Sequence, residues 1–340
     1  MSQRMATKRQ PPKNQTNPVA AVTERTYPSD PAATALRLFL GWFGAHYARS
    51  VAIPRAESDG AVLHANVTVG RKWELAVGVV NTVAPDATVP FEAARAAVER
   101  RLDSEGRSVV LWVPRGAPLP AGEPGLSQLA LALAEANQLE KDGRLEVRRP
   151  ANLYLRRTSN TGSVISVLGG LSAHWAKYTS RVPGSFQLNS QELFRLPASS
   201  DEREALNERI VLAAGQPDVD DTVVVRTEDA WTANDLGDGG STVIGSPQRE
   251  SDEQSSLLRR NLRKLLKQVE PGLRAEAAPK ALVVLGAATY AEEEKLTWAL
   301  RGMDPSLFAG FDILAVVADG VVKVLLEPAR QTLPWDAPVG

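Results

Sequence analysis

Apolar positions change their period several times along the chain, and each change marks an expected element. Asp30-Pro31 reads as a helix start, with Asp as N-cap and Pro at the first helical position, and Leu36, Phe39, Leu40, Phe43 and Tyr47 follow at helical spacing to about Ala48. Ser50 to Pro54 reads as a short strand and Arg55 to Gly60 as a polar loop. From Ala61 the period drops to two: Ala61, Leu63, Ala65, Val67 and Val69 alternate with Val62, His64, Asn66 and Thr68, and Trp73, Leu75, Val77 and Val79 with Glu74, Ala76 and Gly78. Gly70-Arg71-Lys72 between them predicts a hairpin that pairs Val69 with Trp73 and puts Glu74 on an exposed strand face.

A helix is expected near Pro90 to Leu102, with Arg95 and Glu99 as an i,i+4 pair, then a buried strand from Ser108 to Val113. The Pro/Gly-rich stretch Pro114 to Pro124 leads into a helix from about Leu126 to Glu140, stopped by Gly143. Strands follow at Leu145 to Arg157, Ser163 to Leu168 and Phe186 to Leu188, a helix at Ser200 to Ala214 and a strand at Thr222 to Val225. Thr232 to Gln248, rich in Gly, Asp, Ser and Thr, predicts a long solvated loop or a partner-dependent segment. A helix from about Gln254 to Val269 precedes a strand at Ala281 to Leu285 and a helix at Ala291 to Arg301. Strands Phe311 to Ala318 and Val321 to Glu327 close a hairpin at Asp319-Gly320.

The expected fold class is α/β: a mixed sheet with an N-terminal β hairpin and flanking helices, plus a C-terminal α/β unit. The expected divisions are a disordered basic tail at 1–30, an N-terminal α/β domain at 31–143, and an irregular middle region at 144–254, basic then acidic. A C-terminal α/β unit at 255–327 and a tail at 328–340 complete them.

Composition narrows the chemistry. A length of 340 residues at 43% hydrophobic suffices for a full core, and a net charge of -1 excludes a uniformly basic nucleic-acid coat. Without cysteine, thiolate nucleophiles, disulfides and cysteine-ligated metals are excluded, which fits a reducing cytoplasm. The longest apolar runs, Ala281 to Leu285 and Ile313 to Ala318, are far short of the ~18 residues of a membrane span, so no membrane partner is expected. Neither a phosphate-binding G-x-x-x-x-G-K-[ST] loop nor a G-x-G-x-x-G follows a strand, and His46, His64 and His174 lack ligand spacing. Gly170-Leu171-Ser172-Ala173-His174 lacks the nucleophile elbow of a serine hydrolase. Asp218, Asp220 and Asp221 precede their strand, so a solvated acidic turn is expected there rather than a metal site.

The order helix, short strand, β hairpin, helix, strand over residues 30–113, with Glu74-Leu75-Ala76 on the hairpin, resembles the core of the restriction-endonuclease-like PD-(D/E)XK superfamily. That resemblance implies an acid on one strand and an E-x-K on the next holding Mg²⁺ beside a scissile phosphate. The chain departs from the pattern. Ala76 stands where the lysine belongs, and the expected register sets Thr68 opposite Glu74 and Asn66 opposite Ala76. Asp59 lies nine residues before Thr68, roughly 30 Å along a strand. Glu74 is therefore the sole catalytic candidate, no metal site is assigned, and Mg²⁺ is a cofactor only if a nuclease with a non-standard site is present.

Charge is segregated. Arg148, Arg149, Arg156 and Arg157 cluster around Tyr154, a composition suited to phosphate contact with base stacking. In the helix near Gln254 to Val269, Leu258, Leu262, Leu265, Leu266 and Val269 make an apolar stripe against Arg259, Arg260, Arg263, Lys264 and Lys267. This basic helix suits nucleic acid, an acidic partner or the chain's own Ser199 to Gln254 segment, which holds fourteen Asp/Glu against four Arg. The sequence thus leads to a non-catalytic or catalytically degenerate subunit of a larger intracellular assembly with other protein subunits, associated with DNA or RNA as in a defence or restriction-type system. The alternatives are an active metal-dependent nuclease and a small-molecule enzyme using the acidic 218–238 segment.

Overall fold

The computed structural model describes residues 25–58, 61–82, 87–139, 143–169, 171–175, 181–248, 254–274, 277–286, 303–329 and 332–335. Asp30 caps the first helix as its side chain accepts a hydrogen bond from Ala32 N, and α1 spans Pro31–Tyr47. Beyond it β1 (Val51–Ser58), β2 (Val62–Val69) and β3 (Trp73–Asn81) form an antiparallel meander. Val69 pairs with Trp73, as the alternation predicts, with Gly70 at φ +64° in the turn. β1 is longer than expected, continuing through Pro54 with a register shift between Ala52 and Arg55; an edge strand tolerates both.

The remaining elements are α2 (Val89–Ser104), β4 (Val109–Trp112), α3 (Gly125–Ala134), β5 (Asn137–Gln138), β6 (Leu145–Ser159), β7 (Ser163–Gly169), α4 (Ser172–Trp175), β8 (Gly184–Ser190) and α5 (Ser200–Ala214). They are followed by β9 (Thr222–Asp235), β10 (Thr242–Ile244), α6 (Gln254–Arg274), β11 (Lys280–Leu285), β12 (Ile313–Ala318) and β13 (Val321–Leu326). The expected helix at 291–301 lies outside the described residues.

The fold class is mixed α/β, with two mixed sheets. The first has the order β1-β2-β3-β11-β12-β13, and the second β10-β4-β9-β6-β8-β7 with β5 beside β6. This pairing cuts across the boundaries expected from sequence. β11 pairs parallel to β3, so the C-terminal unit completes the N-terminal hairpin's sheet, whereas β4 joins β9 and β10 in the other. The physical reason is burial on both faces: β3 and β11 are apolar on both sides, which a sheet interior requires.

Helices cover both faces of the first sheet. Leu75, Val77 and Val79 pack with α1, while Ala76 and Val80 pack with Leu262, Leu266, Val269 and Leu273 of α6. The strand face expected to be exposed is open only at Glu74, because α6 lies over Ala76, Gly78 and Val80. Gly78 makes this approach possible: a Cβ there would sit 2.4 Å from Val269 Cγ2 and 2.9 Å from Leu273 Cδ1.

Three further expectations are corrected. Thr232 to Gln248 is no solvated loop: Thr232, Ser241, Thr242, Val243, Ile244 and Ser246 are buried, and β10 pairs parallel with β4. Its polar composition is met by partners, with Ser241 N donating to Asp103 and Val243 N to Glu99. Residues 25–30 of the expected tail are fixed: Arg25 pairs with Asp103 at 2.8 Å, and Ser29 donates twice to Glu99 at 2.7 Å. At the other end Leu333 and Trp335 are buried, and the Trp335 ring meets Phe43 edge-on at 5.4 Å. Residues 1–24 lie outside the described residues.

Gly78→Ala is expected to cost about 1–3 kcal/mol by overpacking, and adding Val269→Ala to recover part of that loss. Chemical denaturation of the three variants against the wild type checks this.

Candidate functional site

The end of the first sheet that carries Glu74 has the chemistry its register dictates. Thr68 faces Glu74 and Asn66 faces Ala76, and on the far side of β2 these meet Ala52 and Arg55. Glu57, the other carboxylate described on this meander, pairs with His64, roughly 13 Å along the strand from Thr68. Trp73 next door lies under Lys72 and Arg49, at 5.1 and 5.8 Å from the ring centroid. One carboxylate among a hydroxyl, an amide and cations does not fit a Mg²⁺ ion. Among the described residues, no group of three or more His, Asp and Glu could hold a metal ion. Asp59 lies outside them.

The four arginines expected on β6 are separated and engaged. Arg148 donates to Glu146 at 2.7 Å and Glu202 at 2.6 Å, with Glu228 at 3.5 Å. Arg149 stacks over Trp231, 4.1 Å from the ring centroid, where burial lowers its pKa from the ordinary guanidinium value. Eight residues along the strand, roughly 26 Å away, Arg156 pairs with Asp220 at 2.8 Å, and Arg157 donates to Pro217 O at 3.0 Å beside Phe186. Tyr154 donates to Glu192 rather than standing free as a stacking platform. An open cleft of about 400 Å³ beside Arg148 is lined also by Arg209 and Arg226, but Glu202 and Glu228 share it.

The acidic residues of 218–238 do not converge. Asp220 sits in the turn before β9 and Asp235 at its far end, with the strand between them roughly 43 Å long. Asp238 pairs with Arg37 of α1. Asp229 is buried, which raises its pKa, against the opposing pull of hydrogen bonds from Trp231 Nε1 at 2.7 Å, Arg195 N at 2.7 Å and Phe194 N at 2.9 Å.

The basic helix keeps the arrangement its periodicity predicts. Leu262, Leu265, Leu266, Val269 and Leu273 are buried, while Arg260, Arg263, Lys264 and Lys267 are exposed. These four fall at i, i+3, i+4 and i+7, a single stripe about 10 Å long on the side away from the sheet. Arg259 lies on the same helix, with its side chain outside the described ones.

Sequence reasoning missed the carboxylates of α2, Glu99 buried and Asp103 half-buried. Glu99 is 0% exposed and accepts from Ser29 and Val243, and Asp103 one turn on accepts from Arg25, Tyr27 and Ser241. Their four-residue spacing was visible, but it reads as a solvated helix face until the N-terminal segment and β10 supply the donors.

No family model, curated protein or solved structure matches the chain. Its class is therefore defined by its architecture: a mixed α/β protein of two sheets joined through a shared helix. Among the described residues no helix is long and apolar enough to cross a membrane.

The β6 arginines are expected to behave as structural groups. Arg148→Ala leaves Glu146, 4% exposed, without its charged partner and is expected to cost about 2–3 kcal/mol. Arg156→Ala, in an exposed pair with Asp220, is expected to stay within about 0.5 kcal/mol of wild type in urea unfolding.

Proposed function

We propose that the chain is a non-catalytic subunit of a larger assembly and that it meets nucleic acid through the exposed face of α6. The observation that carries this reading is the stripe Arg260, Arg263, Lys264 and Lys267, four cations on one helical face with the apolar face docked. Phosphates along a strand are met by such a row without base-specific geometry. A helix presented from a covered sheet holds the row rigidly, so little ordering is lost on binding.

The nuclease-like reading is proposed here in altered form. The order helix, three-strand meander, helix, parallel strand is supplied by α1, β1 to β3, α6 and β11. It was expected from α2 and β4. Glu74 beside Thr68, with Ala76 under α6, supports a degenerate copy used for binding.

Arg263→Glu with Lys267→Glu is expected to weaken DNA or RNA binding at least about tenfold and to reduce the slope of log K against log salt by about two. Unchanged retention across a salt gradient overturns the phosphate reading and leaves an acidic protein as the partner of this face. Incubation with DNA or RNA and Mg²⁺ or Mn²⁺ is expected to give no cleavage. Cleavage abolished by Glu74→Ala overturns the non-catalytic reading.

A further inference from the structure

Sheets end in edges, and the chain treats its edges unequally. β1 carries Pro54, Arg55, Glu57 and a register shift; β13 carries Lys323; β10 is three residues long. Each device discourages another strand from pairing there. β7 has none of them. Ser-Val-Ile-Ser-Val-Leu-Gly is uncharged and free of proline, as is Gly-Ser-Phe-Gln-Leu-Asn-Ser of β8 beside it. Val164 is 53% and Leu168 45% exposed.

The backbone of β7 has a definite parity. Gly184 N donates to Gly162 O at 2.8 Å, and β7 and β8 run parallel in unbroken register from Ser163↔Gly184. In a parallel ladder alternate residues turn both backbone groups toward the neighbour. Val164, Ser166 and Leu168 therefore turn toward β8, and Ile165 and Val167 turn outward. Among the described residues β8 is the one strand paired with β7.

We propose that β7 is the seam of a homodimer, pairing antiparallel with β7 of a second copy about a twofold axis at Ser166. Only outward-turned residues can form the hydrogen-bonded pairs of such a ladder, and this register matches them: Ile165 of each copy faces Val167 of the other. The intervening pairs are Ser166 with Ser166 and Val164 with Leu168, so the exposed apolar side chains of one copy cover those of the other. On the inner face Ile165, buried in the core, and Val167, packed against it, meet their counterparts, so the core of each second sheet continues into its neighbour. The absence of charge on β7 and β8 removes the repulsion that two copies of most surfaces would bring together. The register is self-complementary, as a twofold interface must be, which favours a second copy over an unrelated extended peptide. The inference does not depend on the nucleic-acid reading, since β7 and α6 belong to different layers.

The chain contains no cysteine, so a single introduced thiol reports on the axis directly. Two residues facing each other in a non-hydrogen-bonded antiparallel pair lie about 4.5 Å apart at Cα, within disulfide range. Ser166→Cys is expected to form a disulfide-linked dimer under mild oxidation at least about tenfold faster than Val164→Cys or Leu168→Cys, equally placed on the exposed face but off the axis. Ser166→Lys places two like charges on the axis and is expected to give a monomer by sedimentation that keeps the far-UV circular dichroism of the wild type and loses the concentration dependence of its Tm. Mixing Ser166→Lys with Ser166→Glu is expected to restore the dimer. A monomeric wild-type chain at micromolar concentration, or equal cross-linking at all three positions, overturns the proposal.

Discussion

The structure depends on one helix serving two sheets. Ala32, Ala35, Leu36, Phe39, Leu40 and Phe43 of α1 pack on Val77, Val79, Val283 and Ala315 of the first sheet and on Val110, Trp112 and Ile244 of the second. Burying Leu36, Phe39, Leu40 and Phe43 alone contributes roughly 6–12 kcal/mol of transfer free energy, an upper estimate comparable to the whole stability of a domain. The two sheets consequently share one core cluster, and separating them would expose α1. The single Lys or Arg of this helix, Arg37, points to the rim and binds Leu236 O at 2.7 Å in the connection after β9.

Polar contacts fix what that apolar joint leaves free to rotate. The turn between β12 and β13 reaches the second sheet, where Asp319 accepts from Arg195 at 2.5 and 2.6 Å and from Arg144 at 3.3 Å, and Thr232 also donates to it. Asn234 donates to Gly320 O at 3.0 Å and accepts from Trp112 Nε1 at 2.7 Å. Apolar packing is non-directional and would allow several orientations of one sheet over the other, whereas a bidentate guanidinium–carboxylate pair allows one. Glu99 and Asp103 act likewise at the opposite end, holding residues 25–30 against β10.

This scaffold accounts for where function can and cannot reside. Most carboxylates that looked available for chemistry hold backbone N–H groups or arginines in place, and Arg148 and Arg156 of β6 are the other halves of two of those contacts. Two features lie outside the joint: a cationic stripe on α6 and an uncharged strand edge at β7. The first carries the proposed contact with phosphate and the second the proposed contact with another backbone.

Local signals carried the elements. The Asp30-Pro31 cap, the Gly70 turn, the alternation through β2 and β3 and the two-faced α6 each follow from contacts between residues close in sequence, and the register that set Thr68 opposite Glu74 was legible for that reason. Pairing between distant strands was not. β3 takes β11, some two hundred residues on, rather than β4, and no local pattern distinguishes two apolar strands competing for one sheet position. The polar stretch Thr232 to Gln248 looked like a loop because its buried hydroxyls and amides are satisfied by Glu99, Asp103 and Thr34, partners far away in the chain. The sequence by itself determined most of the helices and strands and the apolar stripes of α1 and α6. Tertiary structure alone decided which strands share a sheet, that α1 joins two of them, and which charges are spent on structure, because those outcomes depend on burial and hydrogen-bond partners brought together only by folding.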